Sequence, residues 1–138
     1  MKLRHAALAA VCTMVLAACP SPSEEGCGSA PDDVVDLVAQ RLDSKGDLRY
    51  ATARPDQGRW FVSMELHEPD HDEHENGDIL TFAAPDESSR EFVAVDEKAR
   101  EHTTFPEADF HIDADGGVES RGCTVIVRDD AEKAAEED

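Results

Sequence analysis

The segment Trp60–His67 constrains the fold more than any other part of this chain. Trp60, Val62, Met64 and Leu66 alternate with Phe61, Ser63, Glu65 and His67. A period of two puts the two sets on opposite faces of a β-strand. One face is apolar and the other mixed, as expected for an antiparallel sheet covered on one side. The flanking sequence supplies partners for it. Leu48–Arg54 precedes it across Pro55-Asp56-Gln57-Gly58, a good tight turn with proline at its second position. Gly77–Pro85 and Arg90–Val95 read as the next two strands, joined by a turn over Pro85–Ser89. Asp96–Ala99 then reads as a tight turn into a strand over Arg100–Phe105. Ala108–Asp113 and Val118–Arg128 read as strands flanking Ala114-Asp115-Gly116-Gly117, a strong hairpin signal.

Ahead of the strands, residues 29–47 carry a helical period. Val34, Leu37, Val38, Arg41 and Leu42 recur at i, i+3, i+4, i+7 and i+8, four of the five being apolar. Ser29 is placed to cap this helix, Pro31 suits its first turn, and Gly46 suits its end. The expected architecture is α+β, with one N-terminal helix packed on an antiparallel sheet of five to seven strands. Residues 29–128 form that single domain, and residues 129–138 form an acidic tail, frayed or disordered.

The first eighteen residues stand apart. Lys2 and Arg4 precede an apolar run, the arrangement of a secretory signal peptide, and that run is shorter than the roughly 20 residues of a membrane span. Leu16-Ala17-Ala18-Cys19 resembles the lipobox of bacterial lipoproteins. The resemblance implies diacylglycerol on the Cys19 thiol, cleavage after residue 18, and a polar tether over residues 19–28 that holds the domain off the outer face of the cell membrane. Cys12 leaves with the signal peptide, so Cys27 and Cys123 remain. In an oxidising compartment an isolated pair is expected to form a disulfide.

Cleavage also removes two cations, leaving 11 Lys+Arg against 32 Asp+Glu and a formal charge of −21. That balance excludes nucleic acid and disfavours anionic headgroups as partners. Envelope proteins and cations are the partners it permits, and the chain is expected as a monomer.

Arg59–Leu66, Ile79–Ser88 and Phe92–Ala108 contain "RWFVSMEL", "ILTFAAPDES" and "FVAVDEKAREHTTFPEA". Together they are similar to a set of small exported lipoproteins of actinobacteria. The likeness spans about half of the mature chain and implies fold and location rather than an activity.

The densest chemistry lies in His67–Glu75, "HEPDHDEHE". His67, His71 and His74 stand among five carboxylates, including Asp70 and Asp72. Imidazole and carboxylate together suit a divalent metal such as Zn, Ni or Cu. Pro69 opposes a helix through the segment, and Asn76-Gly77 favours a turn, so a solvated loop between strands is the competing reading. Asp113-Ala114-Asp115 begins like a calcium loop, but Gly117 stands where the third acid belongs and Thr124 where the closing glutamate belongs. No nucleophile elbow, Walker loop or dinucleotide fingerprint is present. The expectation is a non-catalytic envelope lipoprotein that binds a partner. The alternative is a divalent-metal-binding lipoprotein using the loop 67–75. No other cofactor is called for.

Overall fold

The computed structural model describes residues 26–70, 72, 75–112 and 116–137. Five strands form one antiparallel sheet: β1 Gly28–Ser29, β2 Asp47–Asp56, β3 Arg59–His67, β4 Asp78–Ala84 and β5 Val93–Ala94. They lie side by side in chain order, so the sheet is a meander. Among the described residues, three helices accompany them: α1 Asp32–Gln40, α2 Glu97–His102 and α3 Val118–Glu136.

β2 and β3 meet through a two-residue loop, Gln57-Gly58, closed by the pair Asp56–Arg59. Both loop residues have positive φ, +50° and +75°, which matches the right-handed twist of a hairpin. The turn is therefore centred past the proline, and Pro55 lies in β2 opposite Trp60. β3 returns through β4 at Gly77, where a Cβ would come within 2.1 Å of the Leu66 carbonyl oxygen. Only glycine fits that approach.

The alternation in β3 sorts the interior. Trp60, Val62, Met64 and Leu66 face one side with Ala53, Leu80, Phe82 and Ala84. Val34 and Val38 of α1 join them, fully buried, together with Phe92, Ala99 and Phe105. Phe105 lies 5.2 Å from Phe82 and 6.4 Å from Phe92 between ring centroids. α1 begins after Pro31 with Asp32 and Asp33 in its first turn, at the positive end of its dipole. Ser29 does not cap it; it pairs with Thr52 in β1 instead.

The opposite face departs most from expectation. Val118–Arg128 is not a strand but the first half of α3, and this helix covers the mixed face of the sheet. Ser120, Cys123, Thr124 and Arg128 recur at i, i+3, i+4 and i+8 and are the buried residues of α3. They meet a sheet face that is itself polar. Ser63 bonds both Thr81 at 3.0 Å and Ser120 at 2.9 Å, and Thr52 bonds Thr124 at 2.9 Å. Arg128 donates to Glu65 at 3.1 Å, with Glu65 only 3% exposed. Burial works against the charge of Arg128, but its hydrogen bonds to Glu65 and Asp129 outweigh that and raise its pKa. The sheet is thus covered on both faces.

Gly116-Gly117 marks the entry to α3 rather than a hairpin. Gly117 has φ +97° and donates its N–H to Asp56 at 3.3 Å. Cys27, beside β1, is bonded to Cys123 of α3, with Cα atoms 5.7 Å apart and a sequence separation of 96. The expected disulfide forms, but Cys123 reaches it from α3 rather than from a last strand, so it staples that helix to the sheet edge. α3 continues with exposed side chains through Asp129–Glu136, the segment expected as a tail. Arg100–Phe105 and Ala108–Ile112 are likewise not strands: the first begins within α2, whose start is capped by Asp96 accepting from the Ala99 N–H at 2.8 Å.

Candidate functional site

At the end of the sheet, the β2–β3 turn, the end of β4, the start of β5 and residues 105–110 surround a cleft of about 930 Å³. Its apolar wall includes Leu37, Phe92, Phe105, Pro106 and Phe110, and its rim carries Arg41, Arg59 and Arg90. Glu91 and Asp109 also line it.

Each arginine stands over an aromatic ring. The Arg59 guanidinium is 3.9 Å from the Phe110 centroid, that of Arg41 5.4 Å from Phe105, and that of Arg90 5.8 Å from Trp60. A ring against the flat face of a guanidinium helps hold it in place. The three differ in their other contacts. Arg90 is fixed by Asp33 at 2.7 Å and by the carbonyls of Glu87 and Ser89, so it closes the wall between α1 and the loop after β4. The same hydrogen bond holds the Asp33 carboxyl below its usual range. Arg41 ends α1 and is pinned through its backbone, its carbonyl accepting from Thr104 at 2.9 Å. Its side chain meets the Phe105 ring and, among the described residues, no paired carboxylate. Most other cations of the domain are ion-paired: Arg49, Arg54, Lys98, Arg100 and Arg128 each meet an acid.

A second polar cluster lies outside the cleft. His102, at the end of α2, bonds Ser44 through Nδ1 at 2.7 Å and Asp78 through Nε2 at 3.2 Å, with Glu68 3.7 Å from Nδ1. Serine, histidine and aspartate are the residue types of an acyl-transfer relay. Here they strap segments together: the Asp43 N–H donates to the His102 carbonyl at 2.8 Å, and Leu42 bridges Thr103. None of Ser44, Asp78 and His102 lines the cleft. Their effect is to hold the connection after α1 against the end of α2, and so to place Arg41 beside Phe105.

The sequence pointed elsewhere. His67 ends β3 and is 9% exposed, while Asp70 and Asp72 are exposed on the following turn. His71 and His74 lie outside the described residues, as does Cys19. Among the described residues, no three His, Cys, Asp or Glu side chains come together as a cation cage. His67-Glu68-Pro69-Asp70-His71 spells H-E-x-x-H, a pattern that binds metal when a helix sets its histidines one turn apart. Here His67 closes a strand and Pro69-Asp70 turn, so the segment lacks that helix.

The cleft has no local signature in the sequence, because its arginines come from a helix end, a hairpin turn and a loop. The hint available was the clustering of Trp, Phe and Arg in Arg59–Phe61 and Arg90–Phe92. Comparison with protein-family models, curated proteins and solved structures finds no match. No helix among the described residues is long and apolar enough to cross a membrane.

Proposed function

We propose that this chain is an exported, lipid-anchored and non-catalytic binding module of the cell envelope, held at the outer face of the membrane through Cys19. The carrying observation is the arginine-rimmed cleft, whose size falls within the range of small-molecule sites. In a protein with a formal charge of −21 after cleavage, Arg41 reaches the rim beside Phe105 without a paired carboxylate among the described residues. The same acidity argues against nucleic acid as the ligand and keeps the domain clear of anionic headgroups at its anchor. The lipobox-like Leu16–Cys19 and the signal-peptide pattern support the location.

Native mass spectrometry of the full chain, released from its membrane in mild detergent, tests the reading. A bound small molecule is expected on the unaltered protein. Pro106→Trp, which puts an indole into the cleft from an exposed rim position, should remove it. A chain without bound small molecules, whose melting temperature no added ligand shifts, would contradict the proposal. Independently, Cys19→Ala should move the protein from the membrane fraction to the soluble one.

A further inference from the structure

Resting on that reading, we infer that the cleft takes the acyl chain of a lipid drawn from the bilayer to which the domain is anchored. The tether decides which end of the domain meets the membrane. Gly28 pairs with Ala53 and Ser29 with Thr52, antiparallel, so the chain traced back toward Cys19 heads for Pro55 and the β2–β3 turn. A Cβ on Gly26 would already stand 3.4 Å from the Arg54 guanidinium carbon. Six residues separate Gly26 from Cys19. Whatever their conformation, that stretch spans at most about 25 Å. The hairpin end, where Gln57, Gly58 and Arg59 wall the cleft, is therefore held near the headgroups.

Charge sets the same orientation. β3 runs away from the hairpin, and the acids of residues 67–75 follow its far end. α3 runs the same way: the Gly117 N–H meets Asp56 beside the turn, and Arg128 meets Glu65 near the end of β3. Its exposed continuation carries Asp129, Asp130, Glu132 and Glu136 against Lys133. An anionic membrane surface repels this far end most and turns the hairpin end toward the bilayer. The hairpin end also exposes an apolar side chain, Val118, at the start of α3.

The lining fits a hydrocarbon chain. Leu37, Phe92, Phe105, Pro106 and Phe110 give the cleft an apolar wall, and about 930 Å³ is room for one. A tail that moves from bilayer to cleft exchanges one apolar surrounding for another. The gain is the wall area it takes out of water. With the mouth against the headgroups, the tail need not cross water to arrive. Glu91 and Asp109 share the lining with the arginines, so the mouth carries both signs and selects the chain rather than a charged head.

Trp60 is the chain's only tryptophan and stands 6.0 Å from Phe92, so a brominated tail in the cleft should quench its emission. The test places the full lipid-modified chain in vesicles of phosphatidylcholine brominated near the middle of its tails. Loss of most of the Trp60 emission is expected, relative to unlabelled vesicles. Pro106→Phe, which fills the cleft from an exposed position, should restore the emission while the protein still sediments with the vesicles. Native mass spectrometry in mild detergent should show one brominated lipid held on the unaltered chain, recognised by its isotope pattern. This second readout does not depend on the variant. A chain that sediments but shows neither quenching nor bound bromolipid removes the bilayer lipid as occupant, and leaves the anchored binding module standing if another small molecule is bound. Quenching that survives Pro106→Phe, with no bromolipid retained, removes it equally. A chain that neither sediments nor holds any small molecule fails both readings together.

Discussion

The two faces of the sheet are built on different physics. Under α1 and residues 92–105, the sheet presents Trp60, Val62, Met64, Leu66, Leu80 and Phe82, and contact there is apolar throughout. Under α3 it presents Thr52, Ser63, Glu65 and Thr81, and contact includes a chain of hydroxyls and the ion pairs Arg128–Glu65 and Arg54–Glu119. The first interface is driven by removing apolar area from water. The second gains little that way, since its groups exchange hydrogen bonds with water for hydrogen bonds with each other. A disulfide sits where that driving force is weak. Cys27–Cys123 ties α3 down directly, and the loop it closes removes about 4–5 kcal/mol of chain entropy from the unfolded state on the chain-entropy model. The cleft lies at the hairpin end of the sheet, walled by the end of α1, the turn and residues 83–93 and 105–110, and none of the described residues of α3 lines it.

Breaking each face separately tests the contrast. Phe82→Ala, at a fully buried ring on the apolar face, should cost about 3–5 kcal/mol in urea unfolding. Reduction, or paired Cys27→Ser and Cys123→Ser, should cost about 2–5 kcal/mol. The loss should fall unevenly, with the amides of α3 exchanging faster while those of β3 and β4 keep their protection. Uniform loss of protection would show that the polar layer is as cohesive as the apolar one.

Arg128→Ala leaves Glu65 buried without its hydrogen-bonded cation and should cost about 2–3 kcal/mol. Replacing both, Glu65→Leu with Arg128→Met, should recover most of that loss. Failure to recover would mean that the pair contributes net attraction rather than avoiding an unpaired charge.

The smallest effect concerns Asp96, whose carboxyl burial pushes above its ordinary 3.8 even though the Ala99 N–H opposes the shift. The folded state therefore keeps this proton to higher pH than the unfolded chain does. Stability contributed at Asp96 is present below 3.8 and falls as pH rises through the raised value. Asp33 and Asp86, held low by Arg90 and Ser88, act in the opposite direction. Asp96→Asn keeps a capping acceptor and removes the proton. Its stability relative to the unaltered protein should improve as pH rises from about 3 to 6, measured by urea unfolding. A pH-independent difference would place the raised titration elsewhere.

These contrasts also explain what could be read from the chain. β2, β3 and β4 were legible because alternation along a strand is local, and Trp60–His67 carries it without interruption. α3 was not. Thr124–Val127 is a β-branched run that favours a strand, and the inward side of the helix is small and polar because the sheet face it meets is polar. A search for apolar residues at helical spacing therefore passes over it. The 97–102 region misled in the same way: Asp96 looked like a turn residue and proved to be a helix cap.

By itself, the sequence determined the central strands of this protein's sheet, the two cysteines available to staple it, and the basic-then-apolar order of residues that precedes it. All three depend on neighbours along the chain or on residue count. The tertiary structure decided that the mixed face is covered, that Cys123 reaches the sheet edge from a helix, and that three arginines from separate elements share one cleft. Those outcomes depend on which surfaces meet. A polar helix side finds a partner only when a polar sheet face is already in place.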